Sequence, residues 1–238
     1  MASQAGDKTP NGNGKRSFRE MIGVDLVDLY VGPERAHYRI HKEALCGKVP
    51  YFEKMFKGGF KEATSHSADF PEDCSESFDL LLGWVYSDTL PPIFVESEDH
   101  GTFYGSWSAH KFYALAEKLC LHGLQNSIMD KLLSYYRKLR LMPSTSTICM
   151  MYDLSPAKSP MRRFAARAFH WITRPTDAAK EDWPLQGLHN AMMQYPDLTL
   201  DFLELLRTTT EPKCPYEFDF CTFHIHDDGK SCNRSRQE

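Results

Sequence analysis

The sequence predicts an α+β fold, a small sheet flanked by helical hairpins and followed by an all-helical extension. Three observations carry this reading. Residues 27–41 alternate with a period of two around a Gly-Pro turn, the pattern of a β-hairpin. From His41 to Leu206 the apolar residues recur in stripes at helical spacing. The strands come first and the helices afterward, so the helices are segregated rather than interleaved as βαβ units. A chain of 238 residues, 42% of them hydrophobic and 25% charged, has enough apolar side chain for a core. That composition excludes wholesale disorder, collagen and coiled coil.

The elements follow in order. Residues 1–17 are rich in Gly, Asn, Ser and Lys, show no periodicity, and are expected to form a disordered tail. Val27, Leu29 and Val31 share one face of a first strand, with Asp28 and Tyr30 on the other. Gly32-Pro33-Glu34-Arg35 is the turn, and Tyr38 and Ile40 share a face of the second strand. Residues 41–46 read as a short helix ended by Gly47. Pro50 opens the next, with Tyr51, Phe52, Met55 and Phe56 as its stripe and Gly58-Gly59 as its stop. Residues 64–70 suggest a third strand with Ala68 and Phe70 inward.

Phe78, Leu81, Leu82, Val85 and Tyr86 then give a core-facing helix. Residues 90–106, with their prolines, glycines and acids, read as a loop. Helical stripes follow over 109–120, ended near Gly123, and over 124–139, broken by Pro143. Ser144 or Thr145 is placed to cap a helix carrying Ile148, Met151 and Tyr152. A helix over 161–172 and two more over 185–195 and 198–206 complete the chain, the last pair separated at Pro196. Ser155-Pro156 and Ser159-Pro160 allow either phosphorylation in a loop or helix capping.

The formal net charge of −4 argues against a protein held mainly to a polyphosphate backbone, so no direct nucleic-acid partner is expected. No apolar run approaches the roughly 20 residues of a membrane span, and the polar N-terminus lacks the apolar stretch of a secretory signal. Seven cysteines without framework spacing suit a reducing compartment. The expectation is a soluble intracellular protein, nuclear or cytoplasmic, with no membrane partner.

Three blocks carry a family resemblance. The run VGPERAHYRIHKEALCGKVPYFEKMFKGGFKEA, then FPEDCSESFDLLLGWVYSDTL, then KFYALAEKLCLHGLQNSIMD, resembles a BTB/POZ domain, and its wording is closest to the BTB proteins of filamentous fungi. His41, Lys42, Leu45, Pro50, Tyr51, Phe52 and Phe56 match the family's strand-to-helix block. Phe78, Leu81, Trp84 and Tyr86 match its mid-domain helix, and Tyr113, Ala116, Leu119 and Leu124 the helix pair that follows. Val49, where many members have serine, and the long acidic loop over 91–106 depart from the pattern. The resemblance covers roughly residues 22–135 and implies a BTB/POZ domain, placed over 18–135; behind it the apolar stripes give a helical extension over 136–210, and the Cys and His content marks a Cys/His-rich tail over 211–238. It also implies a protein-interaction module that dimerises or pairs with another BTB protein, or hands substrates to a cullin-RING ubiquitin ligase scaffold. A transcriptional or chromatin scaffold acting through BTB oligomerisation is the alternative.

No catalytic residue is expected. His41 and Cys46, five helical positions apart, lie roughly 140° apart around an axis, too far for a nucleophile and its base. Cys120 and His122 are about 200° apart on the same argument. There is no serine elbow, no phosphate-cradling glycine motif and no HExxH. Lys131, Arg137, Lys138 and Arg140, with Arg162, Arg163 and Arg167, read as solvated helix faces. The fold requires no cofactor, but Cys221, His224, His226 and Cys232 offer two thiolates and two imidazoles, a set that admits one structural zinc. The other reading of this tail has Phe218, Phe220, Phe223 and Ile225 packing on the helices, with the Cys and His incidental.

Overall fold

The structure, a computed structural model, describes residues 17, 20, 22–96, 103–209 and 211–226. All but residue 17 of the expected N-terminal tail lies outside these, as does Cys232. Alternation in β1 (Leu26–Val31) sends Val27, Leu29 and Val31 into the core, and all three are fully buried. β1 pairs antiparallel with β2 (Ala36–His41), Val27 opposite Ile40 and Leu29 opposite Tyr38. Gly32 and Arg35 take the positive φ that closes the turn between them. β3 (Ser67–Phe70) runs parallel to β1 on its other side, so the sheet order is β2-β1-β3.

A parallel neighbour requires a crossover. Three helices supply it: α1 (Lys42–Lys48), α2 (Pro50–Lys57) and α3 (Lys61–Ser65). Gly47 does not end α1; the helix runs through it to Lys48 and stops at Val49. The cause is Pro50, whose ring excludes the helical region for the residue before it; Val49 is accordingly extended, at φ −124° and ψ 98°. The expected strand over 64–70 is shorter, because α3 occupies Lys61–Ser65 and the chain turns at His66, φ 52°.

α4 (Ser75–Ser87) buries Phe78, Leu81 and Val85. Tyr86, expected on that core stripe, is rotated about 100° past Val85 and is 46% exposed. The expected loop over 90–106 contains a two-stranded antiparallel ribbon, β4 (Phe94–Glu96) with β5 (Phe103–Gly105). Trp107, which follows it, is buried, its indole N–H donating to the Pro92 carbonyl at 3.0 Å. α5 (Ala109–Lys118) is capped by Ser108 and stops at Cys120 in the left-handed region; Gly123 lies inside α6 (His122–Leu139).

The extension begins as expected. The Ser144 hydroxyl caps α7 (Thr145–Leu154) and the Ser159 hydroxyl caps α8 (Pro160–Ile172), each accepting the N–H three residues on. Ser159 is buried in that role, which leaves the capping reading for its Ser-Pro pair. A short helix that the pattern did not announce, α9 (Asp177–Asp182), precedes α10 (Leu185–Gln194) and α11 (Pro196–Thr208). Two 3-10 turns, Pro215–Glu217 and Phe220–Phe223, follow.

One continuous core runs from Val27 to Phe223. α6 continues past residue 135 to Leu139, and Tyr136 at its end stacks on Phe164 of α8 at 5.6 Å. The front unit and the extension therefore share a wall. No helix among the described residues is long and apolar enough to cross a membrane.

Candidate functional site

The motif residues divide into core and surface. Leu45, Phe52, Phe56, Phe78, Leu81, Tyr113, Ala116 and Leu119 are buried. Phe52 sits between Phe56 and Phe70, at 6.1 and 5.8 Å between ring centroids. Pro50 starts α2. Lys42 opens α1, its N–H donating to the Asp25 carbonyl. Tyr51 remains exposed, and Trp84 is half-buried under the Lys48 ammonium. His41 joins none of the cysteines: its Nδ1 lies 2.8 Å from the Tyr86 hydroxyl, while the Cys46 thiol donates to the Phe52 carbonyl. Both residues fix the strand-to-helix junction.

The outer face of the sheet carries Leu26, Asp28 and Tyr30 beside their partners His41, Arg39 and His37. Arg39 and His37 both bond Asp28, and they hold its carboxyl down at about 2. Tyr30 stacks on His37 at 4.9 Å. At the end of this face Leu26 is 43% exposed and Val24 76% exposed. Leu26 lies beside His41 and, through it, Tyr86, so apolar surface gathers at one corner of the sheet.

The tail docks on the side of α6 turned away from the core. Asn126, Asp130 and Arg137 fall within about 40° of one another around that helix. The Asn126 amide pairs with both backbone groups of Ile225, at 2.9 and 2.8 Å. The His224 Nε2 lies 2.8 Å from the Asp130 carboxylate, and His224 is buried. The Arg137 guanidinium donates to the Tyr216 carbonyl and covers the Phe220 ring at 4.6 Å. Phe223 is fully buried against Phe164, and Arg167 of α8 lies 4.5 Å over Phe218.

Arg137 and Arg167 are thus not solvated helix faces, as their sequence suggests. They bind the tail. Arg162 is engaged too, donating to the Ser155 and Tyr152 carbonyls and to Asp197. The distant partners, Tyr216 at 79 residues from Arg137 and Asp197 at 35 from Arg162, are not announced locally.

Within the docked tail, Cys221 sits in the second 3-10 turn and His224 and His226 follow it in extended chain. The thiol and one nitrogen from each imidazole lie within 4.8 Å of one another. Of the four expected ligands these three come together, and the fourth, Cys232, lies outside the described residues.

Sequence reasoning missed a buried polar trio at the junction with the extension. The Tyr113 hydroxyl, Glu117 Oε2 and Gln125 Nε2 are buried without a hydrogen-bond partner in good geometry. Burial pushes the Glu117 carboxyl up to about 7, an effect that nearby Gln125, Arg162 and His122 only partly offset. A groove of about 470 Å³ between α8 and α11 is lined by Arg162, Arg163, Arg167, Asp201 and Glu204, and the trio is not part of it. With Lys158 the groove sets four cationic side chains against two carboxylates, an excess of positive charge rather than a nucleophile beside its base.

Residues 18–135 match the family model of the BTB/POZ domain. No curated protein matches the chain.

Proposed function

We propose, from the premise that residues 18–135 form a BTB/POZ domain, that this chain is a non-enzymatic adaptor. The BTB/POZ fold is a protein-interaction fold, and that match is the observation that carries the reading. The domain pairs with a second BTB domain, in another copy of this chain or in a different BTB protein. The extension then holds a client at a set distance from the pair. The finer reading is a substrate adaptor for a cullin-RING ubiquitin ligase.

The position of β1 restricts how pairing occurs. β1 is the middle strand, with both backbone edges occupied by β2 and β3. A second copy therefore cannot add to it, and must use side chains or the outer edges of β2 and β3. The apolar corner formed by Val24, Leu26 and Tyr86 is the surface that supports a side-chain contact. A stable two-fold interface buries roughly 1,200 Å² or more in total, so this corner forms only its centre.

The test is affinity purification of the tagged chain from its native cells, with light scattering of the purified protein. Leu26→Asp should weaken pairing while the fold is kept; Phe56→Asp, at a buried ring, should lose the fold and serves as the control. A cullin recovered in near-stoichiometric yield supports the ligase reading. Other BTB proteins or chromatin factors without a cullin support a regulatory scaffold in its place. A monomer that captures no BTB protein and no cullin overturns the adaptor proposal.

A further inference from the structure

We propose that Cys221, His224 and His226 bind a zinc ion, and that this ion fastens the tail across the BTB domain and the helical extension. The three ligand atoms already lie within 4.8 Å of one another. Zinc bonds of about 2.3 Å to sulfur and about 2.0 Å to nitrogen, at tetrahedral angles, need roughly 3.3–3.6 Å between ligands. Closing that gap takes about an ångström of side-chain movement from groups on one short stretch. Thiolate and imidazole together select a borderline-soft transition cation over magnesium or calcium, which take oxygen ligands.

The second observation is the support behind His224. Its Nε2 is held by Asp130 at 2.8 Å, and the ring is buried. A carboxylate that holds one imidazole nitrogen orients the ring and makes the other nitrogen a better ligand, the usual arrangement behind metal-binding histidines. The carboxylate comes from α6, 94 residues earlier in the chain. A metal on His224 would therefore be tied through Asp130 to the BTB domain itself. On its other flank, Phe223 joins the site to Phe164 of α8. Cys221 and His226 are only half-buried, which gives the ion a way in.

Binding forms one Zn–S bond and two Zn–N bonds. The Cys221 thiol gives up its proton to solvent, and both histidines bind as neutral imidazoles. The fourth position is open to water. The role assigned to the ion is to order the tail.

The experiment uses the full chain, reduced with a phosphine, stripped with a chelator and titrated with cobalt(II), which is then displaced by zinc(II). The expected result is one saturable ion per chain with a thiolate-to-cobalt charge-transfer band. Cys221→Ser should abolish that band, and His226→Ala should weaken binding at least tenfold. Asp130→Asn should weaken it about 10- to 100-fold while keeping the band. Zinc should also protect the segment after Tyr216 from limited proteolysis, and chelator should release it while the BTB domain stays intact. Circular dichroism of each variant checks that the helices remain. Binding that Cys221→Ser leaves unchanged, or a protease pattern indifferent to zinc, overturns the proposal. A failure here leaves the adaptor reading intact, since pairing through the sheet corner is measured separately.

Discussion

Glu117→Gln tests whether the buried junction carries a carboxyl that folding has to neutralise. Burial raises the folded Glu117 from the ordinary 4.5 to about 7. A raised acid binds its proton more tightly in the folded chain than in the unfolded one. Stability is therefore unaffected below 4.5, falls as pH rises from 4.5 toward 7, and is level above that. A shift of that size corresponds to at most about 3 kcal/mol at pH 8 and above, at 1.36 kcal/mol for each pH decade, and solvent screening of the half-buried side chain lowers it. Near pH 5 the same group costs only about 1 kcal/mol, because the unfolded carboxyl is itself partly protonated there.

Glutamine has the shape of the neutral acid and never ionises. Urea unfolding of both proteins at about pH 5 and about pH 8 isolates the effect, since every other titrating group cancels in the difference. Glu117→Gln should stabilise the protein by up to about 2 kcal/mol more at the higher pH than at the lower. An equal change at both values, or a loss at the higher one, would mean that the Glu117 carboxylate is hydrated or paired when folded. The account of the trio with Tyr113 and Gln125 would then fail.

Two further substitutions probe the tail and the corner beside it. Phe223→Ala removes a fully buried ring that packs edge-on against Phe164, and a core Phe→Ala costs about 3–5 kcal/mol. A terminal segment can open locally, so the loss should show first as faster hydrogen exchange and cleavage around Tyr216, with a smaller drop in global stability; unchanged exchange there would refute the docking. Arg162→Ala frees the Ser155 and Tyr152 carbonyls and should cost about 2–3 kcal/mol by thermal or urea unfolding. Arg162→Lys should recover less than half, because an ammonium cannot reach both carbonyls and Asp197 as the planar fork does; full recovery would contradict that geometry.

Periodicity read the large elements well and their ends less well. The hairpin, the stripes of α4 to α8 and the separation of α10 from α11 at Pro196 are local features, so they are visible in the sequence. The misplaced ends share a cause. Gly47 and Gly123 read as stops in the sequence, yet both lie inside helices. The left-handed residues that follow α3, α4, α5 and α6 are His66, Asp88, Cys120 and Arg140, none of them glycine. A non-glycine residue there is strained by about 1 kcal/mol or more, and surrounding packing has to offset it, which local sequence does not record. The ribbon of β4 and β5 escaped notice because three-residue strands are too short to display alternation. At the candidate metal site the ligand types and their spacing were legible, whereas Asp130, which orients His224, lies too far away in sequence to be found.

The same distance explains why the outer face of α6 reads as solvated and why that face matters. Leu124, Ile128, Leu132 and Tyr136 line its core face, while Asn126, Asp130 and Arg137 lie roughly opposite, on what reads as a solvent face. The tail covers that second face, so α6 is held between the core and the tail. Its first four turns belong to the BTB/POZ match, and its end packs against α8. A free linker between the two units would leave their relative orientation undefined. Here one helix crosses from one unit to the other, and a segment from the end of the described chain grips it from behind. The orientation is set by packing, and whatever tightens or releases the tail acts directly on it.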